Sequence, residues 1–598
     1  MKPERACIER ALLGALTLGL ILTAGCAPPT STGGSPLAPP SPTSAAPTAT
    51  ASPSPTPGPS PTPTATLTPA PTVSLGFLQE GTPVGTEPAL TATATLPVPT
   101  PIPGSHQWML PSRVIPEPVG VNIHFTQPDP GEMELLERAG FRFVRMDLFW
   151  HLIEHEERGK YDFSAYDVLV EEMSSRGIRI IFILDYGNDL WGGGNAHHLE
   201  EGRPAFVRFA AAAARRYRGR GIIWEIWNEP NLEKFWHAPP DPANYADLAF
   251  KVIAAVRRED PAAWIVGPAA AHFPWDYLEV LGALGLYNKL DAVTVHPYRH
   301  NEPESAWEDY VRLRGILDHA SPDRKIPIIA GEWGYSTVVG GHSEELQAQY
   351  LTRQMLSHLA ADVDLSIWYD WRNDGENAHE IEHNFGVVRA DLTPKPAYHA
   401  VETMTDVLEG YHFQRRIPLA REEDYLLLFF DGEGVVLAAW TAGTPHEVLL
   451  PIYCDAVEVV EMTGETSLLD ALDGGLEVAL DSSPRYLRLC DSETVLRMGL
   501  WRPSESIHIL PLAGEGRVLM EIENPFHEPL QGEFRVTARG ELLGSTWGQA
   551  DPDTVTKVSV PVSVETAGTT IIPATVTFLT PDGLPLESAS IWLHLVTP

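Results

Sequence analysis

The chain has few cysteines and few basic residues for its length of 598 residues. Its four cysteines, Cys7, Cys26, Cys454 and Cys490, show no metal-ligand spacing. Lysine and arginine together number 42, against 79 aspartates and glutamates, which gives a formal charge of −37. Because phosphate binding needs a basic surface, this balance argues against nucleic acid as a partner. We therefore predict neither a metal site nor a nucleic-acid interface.

The amino terminus predicts export. Three basic residues within the first ten precede an apolar stretch over residues 11–24, too short for a comfortable membrane span and typical of a secretory signal. The stretch runs into LTAGC at residues 22–26, which resembles the bacterial lipoprotein signal. That resemblance implies a signal peptide over residues 1–26, a lipid on Cys26 as membrane anchor, and a place on the extracellular face of the cell membrane. A plain signal peptide and secretion are the alternative.

A segment rich in proline, threonine, serine and alanine follows, over residues 27–105. Such a composition cannot bury enough apolar surface to offset the entropy of ordering, so we expect a disordered linker. Its prolines favour an extended, semi-rigid spacer. In an exported chain, Cys454 and Cys490 could form a disulfide or remain two buried thiols, and the sequence leaves both open.

Residues 106–410 are predicted to form an eight-fold β/α barrel. Short apolar runs alternate with amphipathic helical patterns, as eight strand–helix units require. A doubly wound open sheet is the alternative, but no glycine-rich dinucleotide turn follows the first run, and no cofactor is predicted. The predicted strands are Val119–Phe125, Phe141–Met146, Ile178–Leu184, Ile222–Trp227, Trp264–Val266, Ala292–Val295, Ile326–Ala330 and Leu365–Tyr369.

Two helices illustrate the pattern between the strands. In the first, over residues 164–176, apolar residues recur at positions 166, 169, 170 and 173, with Ser164 as the expected N-cap and Gly177 as the expected end. The second is predicted over residues 244–257. Beyond residue 410 the helical period fades into short strand-like runs. We expect a β domain over residues 411–492 and an immunoglobulin-like β-sandwich over residues 493–598, as carbohydrate-binding modules or as packing modules.

Polar residues follow almost every predicted strand. The fourth run ends in WNEPN at residues 227–231, and the seventh is followed by Glu332 and Trp333. Active groups of such barrels come from the carboxyl ends of the strands, so Glu229 and Glu332 are expected to meet. A pair of carboxyl groups suits the acid and the nucleophile of sugar-bond hydrolysis.

These residues resemble clan A of the glycoside hydrolases, retaining enzymes on eight-fold barrels, over about residues 119–410. The resemblance implies that Glu229 is the acid/base and Glu332 the nucleophile. The WNEPN sequence is similar to the family 39 branch, with its β-xylosidases and iduronidases, whereas the cellulase-like branch near family 5 usually has a histidine after strand 3. The resemblance further implies the substrate-binding residues Arg145, Asn228, His296, Tyr298 and Trp368.

Further residues at the strand ends are predicted to contact the sugar. His124 follows strand 1, where substrate contact and a structural role are equally open, and Trp333 follows Glu332. Tryptophans offer flat apolar faces to sugar rings. Those predicted at the carboxyl end of the barrel are Trp150, Trp191, Trp236, Trp333, Trp368 and Trp371.

The sequence therefore predicts a cell-surface retaining glycoside hydrolase that acts on β-linked poly- or oligosaccharides. Two alternatives stay open. A binding protein that kept the barrel as a lectin would hold sugar without turning it over. A transglycosidase would share the covalent intermediate and differ in its acceptor.

Overall fold

The structure is a computed structural model that describes residues 110, 113–450, 452, 456–470, 475–489, 500–504, 507–511, 515–524, 529–552, 554–564, 570–579, 581 and 585–596. The predicted signal and linker, Cys26, Cys454 and Cys490 lie outside the described residues. Their assignments stay predictions. Among the helices that are described, none has the length and apolar character needed to cross a membrane.

Eight parallel strands close into a barrel, each paired with the next along the chain and the eighth with the first. The predicted fold class is thus confirmed, with strand ends shifted by a few residues. The strands are β1 (Val119–Asn122), β2 (Phe143–Phe149), β3 (Arg179–Asp185), β4 (Ile223–Ile226), β5 (Trp264–Ala271), β6 (Ala292–His296), β7 (Ile328–Trp333) and β8 (Leu365–Trp368).

The barrel interior changes from apolar to charged along the strands. Side chains two apart on a strand share a face. Phe143 on β2 and Ile223 on β4 belong to a separate buried apolar cluster inside the barrel. Two residues further along the same strands stand Arg145 and Glu225, whose Nε and Oε2 atoms are 2.6 Å apart. The apolar layer therefore supports a charged layer near the carboxyl end of the strands.

Helices surround the barrel and bury their apolar faces against it. The predicted helix near residue 164 spans Ser164–Ser175 and buries Tyr166, Leu169, Val170 and Met173, as expected. Gly177 ends it with φ 71°. Ser164, expected as the N-cap, is instead the first helical residue, and its amide donates to Asp162 Oδ1 at 2.9 Å.

The second predicted helix, expected over residues 244–257, is longer, because Asp241 caps it by accepting from the amides of Ala243 and Asn244. The helices are α1 (Glu132–Arg138), α2 (Trp150–Ile153), α3 (Ser164–Ser175), α4 (Gly202–Arg216), α5 (Glu233–Trp236), α6 (Pro242–Glu259), α7 (Trp275–Ala283), α8 (Trp307–Ala320), α9 (Glu344–Ala360) and α10 (Pro396–Val407). The 3₁₀ helices are Asp189–Trp191, Ala196–His198, Leu286–Asn288, Pro303–Ala306 and Glu382–Asn384.

Two β regions follow the barrel, in agreement with the predicted all-β architecture. The first forms a six-stranded sheet of order β14-β13-β16-β11-β10-β9 and a two-stranded sheet of β12 and β15. Its strands are β9 (His412–Arg416), β10 (Asp424–Phe430), β11 (Val435–Thr441), β12 (His446–Leu450), β13 (Ala456–Val460), β14 (Thr466–Asp470), β15 (Leu476–Leu480) and β16 (Arg485–Leu489).

The second β region has a three-stranded sheet, β17-β19-β22, and a five-stranded sheet, β18-β24-β23-β20-β21. One buried apolar cluster contains residues of both regions, such as Leu428 and Val518. The strands of the second β region are β17 (Trp501–Pro503), β18 (Ile507–Pro511), β19 (Glu515–Asn524), β20 (Leu530–Ala538), β21 (Glu541–Ala550), β22 (Thr554–Ser563), β23 (Thr570–Leu579) and β24 (Pro585–Val596).

A buried ion pair joins the barrel to the first β region. Arg353 on α9 donates to both carboxylate oxygens of Glu304 at 2.8 and 2.7 Å. Trp440 on β11 donates its indole N–H to the same carboxylate at 2.6 Å. Because these side chains are almost fully buried, Glu304 satisfies two donors that water cannot reach.

Replacing Glu304 by alanine should therefore destabilise the protein by about 3–5 kcal/mol, because the Arg353 charge would stay buried without its partner. The midpoint of thermal unfolding, followed by circular dichroism, measures this. Glu308→Ala, at an exposed position on α8, is the matched control and should leave the midpoint within about a degree. Equal midpoints for the two variants would contradict the structural role of Glu304.

Candidate active site

The chain after β4 turns sharply and carries Glu229 into the opening of the barrel. Trp227 and Glu229 adopt left-handed backbone conformations with φ of 68° and 47°, which few residues other than glycine adopt without cost. Two contacts hold this turn: the Glu229 amide donates to the Ala269 carbonyl at 3.0 Å, and the buried Trp227 indole donates to the Phe235 carbonyl at 3.3 Å. Neighbouring elements thus fix the backbone of Glu229.

A bulge in β7 directs Glu332 to the same opening. Ile329 points into the barrel, so strict alternation would point Glu332 outward. The register between β7 and β8 shifts between Ala330 and Trp333, and bulges of this kind commonly re-aim a side chain beside a site. Gly331 provides the space, because a Cβ there would lie 3.3 Å from His296 Nε2.

The two carboxyl groups meet as the sequence predicted. One oxygen of Glu229, one oxygen of Glu332 and a ring nitrogen of His296 all lie within 4.8 Å of one another. Retaining glycosidases hold their carboxyl groups about 5–5.5 Å apart, whereas inverting enzymes need about 6.5–9.5 Å to admit a water molecule. An approach of two carboxyl oxygens to within 4.8 Å is shorter than the spacing that inverting enzymes need.

Arg145 is the most connected side chain of the site. Its side chain is 2% exposed, and its guanidinium ion-pairs with both Glu225 and Glu332. These charges outweigh the effect of burial and raise the pKa of Arg145, which therefore stays charged. The guanidinium contacts Glu225 Oε2 (2.6 Å), Asn122 Oδ1 (3.2 Å), Glu332 Oε2 (2.9 Å), Asn228 Oδ1 (2.9 Å) and His296 Nε2 (3.3 Å).

His296 is neutral, and its neighbours determine its tautomer. Burial and the Arg145 charge hold its pKa well below the usual range. Since a guanidinium only donates, His296 Nε2 accepts from Arg145, and Nδ1 therefore carries the proton. Nδ1 lies 3.0 Å from Glu229 Oε1 and donates to it. An acid proton on Glu229 therefore belongs on Oε2.

Glu229 and Glu332 differ in their partners. Burial and then the charge of Glu332 raise the pKa of Glu229 to about 8. Burial also raises the pKa of Glu332, but Arg145 and the hydroxyl of Tyr298 oppose this shift. Tyr298 donates to Glu332 Oε1 at 2.8 Å. Because charge and hydrogen bonds favour ionised Glu332, the shared proton lies on Glu229 near neutral pH.

The other predicted sugar contacts are only partly accessible. Asn228 accepts from Arg145 through Oδ1, and its Nδ2 donates to the Tyr186 hydroxyl at 2.9 Å. Trp333 and Trp368 are fully buried, so neither offers an exposed face to a sugar. Alternation explains this: Ile367 points into the barrel, so Trp368 points out of it, and its ring centroid lies 6.1 Å from that of Tyr335 in the loop after β7.

The remaining tryptophans at this end of the barrel also differ from expectation. Trp150, Trp236 and Trp371 are fully buried. Trp150 and Trp371 donate to the buried carboxylates Glu154 and Glu132. These indoles fill the space between strand ends and helices. Among the six tryptophans expected there, Trp191 keeps partial exposure.

His124, which follows β1, contacts two aspartates in the loop after β8. Its Nδ1 lies 3.0 Å from Asp374 Oδ1 and 3.6 Å from Asp370 Oδ2. Burial opposes the charge, but the two aspartates outweigh it and raise the pKa of His124 to about 10. A charged His124 therefore offsets one of the two aspartates, of which Asp374 is the nearer, and a role in substrate contact stays a prediction.

Two further residues near the site are not among the predicted site residues. Tyr186 follows β3 and orients the Asn228 amide, a contact that no sequence motif announces. Glu382 lies in the loop after β8 and accepts from the Tyr369 hydroxyl at 3.1 Å. Burial and the charge of Asp374 raise the pKa of Glu382 to about 7. No apolar run ends at Glu382, so its place in the sequence does not indicate that it lies near the site.

Two side-chain groups have donors of the type that bind metal ions, His124 with Asp370 and Asp374, and His296 with Glu229 and Glu332. In the first, the charge of His124 already neutralises one aspartate. In the second, the Arg145 guanidinium contacts two of the three side chains and would repel a cation. The charges of His124 and Arg145 thus account for the clustering of the side chains in both groups.

Comparison with known proteins agrees with this geometry. Residues 118–375 match the family model described as Cellulase (glycosyl hydrolase family 5). A β-xylosidase from Geobacillus stearothermophilus is 27% identical over 30% of this chain and 40% of its own length. A solved family 39 glycoside hydrolase from the gut symbiont Bacteroides cellulosilyticus WH2 is 24% identical, with a TM-score of 0.55 over 62% of this chain and 80% of that one.

Residues 118–375 are therefore similar to glycosyl hydrolase family 5, and the barrel has the fold of the solved family 39 enzyme. The predicted resemblance to this class is confirmed, and the relatives are glycoside hydrolases. The chain spans less than half the length of the curated β-xylosidase that it matches. The roles of the individual residues stay predictions.

Because the charge of Glu332 contributes to the raised pKa of Glu229, Glu332→Gln should lower the pKa of Glu229 from about 8 toward the ordinary range. Carbon-detected NMR titration of the Glu229 carboxyl measures both values. Glu233→Gln, at an exposed position four residues from Glu229, is the control and should leave the titration unchanged. An unchanged pKa in Glu332→Gln would show that the two carboxyl groups do not interact.

Proposed function

We propose that the protein is a retaining glycoside hydrolase in which Glu332 is the nucleophile and Glu229 the acid/base. The observation that carries this proposal is the approach of their carboxyl oxygens to within 4.8 Å. The different partners of the two carboxyl groups support the assignment, because Arg145 and Tyr298 both donate to Glu332.

In the first step, a carboxylate oxygen of Glu332 attacks the anomeric carbon of the sugar. The bond to the leaving oxygen breaks, and Glu229 gives that oxygen its proton. The leaving sugar departs as an alcohol, and a glycosyl ester of Glu332 remains. Arg145 and Tyr298 hold the attacking carboxylate in a fixed orientation, which lowers the entropic cost of the step.

In the second step, Glu229 acts as a base. It takes a proton from water, and the water oxygen attacks the anomeric carbon while the bond between that carbon and the Glu332 oxygen breaks. The sugar leaves with the anomeric configuration that it had at the start, and both carboxyl groups return to their first state. His296 donates to Glu229 Oε1 and keeps this carboxyl oriented through both steps.

The substrate that we propose is a β-linked poly- or oligosaccharide. The resemblance of WNEPN to the family 39 branch supports it, as does the similarity to the Geobacillus β-xylosidase. Asn228 precedes Glu229 in the chain and shares the Arg145 guanidinium with Glu332, and its orientation is held by Arg145 and Tyr186. We assign its amide to a sugar hydroxyl, a contact that strengthens in the transition state.

Variants of the two glutamates test the mechanism. Glu229→Gln should lower kcat/KM on a β-linked oligosaccharide by about 10²–10⁴-fold, because the leaving oxygen loses its proton donor. Aryl glycosides with an acidic phenol should suffer less in this variant, since their leaving group needs little protonation. Glu332→Gln should lose activity on both, because no carboxylate remains to attack.

The matched control is Glu233→Gln, which should keep wild-type rates. Proton NMR of the first product should show the retained anomer. Wild-type rates in both active-site variants would overturn the assignment, and an inverted product would exclude the covalent intermediate. Sugar binding without turnover at any pH would favour the lectin alternative, and new oligosaccharides at high sugar concentration the transglycosidase.

We also propose that the protein is held on the outer face of the cell membrane by a lipid on Cys26. The motif LTAGC and the long linker that follows it support this location. In a bacterial host, Cys26→Ser should move the protein from the membrane fraction to the soluble fraction and abolish labelling by a fatty-acid analogue. Cys7→Ser is the control. Membrane retention of Cys26→Ser at the wild-type level would exclude the anchor.

A further inference from the structure

The five-stranded sheet of the second β region has one apolar face and one polar face. On β20, Leu530, Phe534 and Val536 are buried, while Gln531 and Arg535 between them are exposed. The outward positions of β20 stand opposite outward positions of β21. Since β21 is the last strand in the sheet order, this polar face reaches the edge of the sheet.

Trp547 stands in the middle of the polar face of β21. Its side chain is 58% exposed, and it is the one aromatic residue among the large exposed hydrophobic residues in the described part of the chain. Its inward neighbours Gly548 and Ala550 differ, since both are buried. An exposed indole is unfavourable in free energy, because its large apolar surface stays in contact with water.

Polar side chains surround this indole at the spacing of the strands. Glu533 on β20 lies directly opposite Trp547. Arg535 donates to Glu533 Oε2 at 2.7 Å, so the two charges cancel. Side chains directly opposite one another lie about 4.5–5.5 Å apart. The other outward neighbours are Gln531, Gln549 and Ser545.

We propose that this face binds a neutral polysaccharide chain, with one sugar ring stacked on Trp547 and its hydroxyls bonded to Gln531, Gln549 and Ser545. The C–H face of a pyranose ring matches a flat indole, and amides and hydroxyls both donate and accept, as sugar hydroxyls do. Internal pairing of Arg535 with Glu533 removes the charge that an ionic ligand would need. The inference takes from the proposed function only that the substrate is a glycan.

This face would keep the protein bound to a polymeric substrate while the barrel acts at another place on the same polymer. A protein partner fits the face less well, because stable protein interfaces are centred on several aromatic or apolar residues. Trp547 is flanked by polar residues on both strands. A contact through one indole and a polar surround suits a sugar ring better.

The test is affinity electrophoresis of the full exported chain in gels that contain soluble xylan, mixed-linkage β-glucan, xyloglucan, galactomannan or arabinan. All proteins carry Glu332→Gln, so that the polysaccharide is not consumed and a failure of the proposed hydrolysis leaves the test intact. At least one polysaccharide should retard the parent protein. Trp547→Ala should weaken that binding by about tenfold or more, a change in Kd of one decade or above.

Two further variants separate stacking from unfolding. Leu542→Ala, equally exposed on the same strand, is the matched control and should keep the parent retardation. Trp547→Tyr should restore part of the binding, since an aromatic face returns. Thermal midpoints within about a degree of the parent show that the fold is kept.

Three results would overturn the proposal. One is equal retardation of Trp547→Ala and the parent on every polysaccharide that retards the parent. A second is no retardation of the parent by any of the five neutral polysaccharides. The third is that Trp547→Ala changes the sedimentation coefficient but leaves the retardation by every polysaccharide unchanged. That result would make this face a contact between two copies of the chain.

Discussion

The buried guanidinium of Arg145 is the group on which the active site depends. A charge in that position is costly unless it is paired and hydrogen-bonded. Glu225 from within β4 and Glu332 from the end of β7 both pair with it. One positive charge thus faces two carboxylates before Glu229 is counted. Burial and the charge of Glu332 oppose a third negative charge in the same volume, so Glu229 holds a proton, in line with its raised pKa.

The local irregularities of the barrel follow from the same requirement. Regular strands alternate their side chains and would send Glu332 outward. The bulge in β7 and the left-handed residues after β4 bring both carboxyl groups to the guanidinium. Each irregularity lies at a strand end, where few ladder hydrogen bonds are lost. The regular part of the barrel and its apolar layer supply the stability that these features cost.

The sequence predicted the barrel and the meeting of the carboxylates, because strand ends are marked by apolar runs that stop at polar residues. It could not assign the tryptophans. A tryptophan after a strand end gives the same sequence pattern whether its side chain faces the barrel opening or the helices. Trp368 is fully buried and does not face the opening. The direction depends on whether alternation continues or a bulge interrupts it, and a bulge is set by partner strands distant in sequence. The contact of Tyr186 with Asn228 could not be predicted from its place after β3. Glu382 was missed for a related reason, since tertiary contacts alone bring it to the site.

The coupling between the carboxyl groups also explains how one residue can serve as acid and then as base. Before the first step, the charge on Glu332 helps to keep Glu229 protonated. In the proposed intermediate, Glu332 is an ester and carries no charge, while Arg145 keeps its own. The field at Glu229 then changes from one that favours the proton to one that favours the carboxylate. Glu229, having given its proton to the leaving group, stays ionised and is ready to accept one from water. Arg145 therefore serves both steps without moving: it orients the nucleophile in the first and stabilises the base in the second.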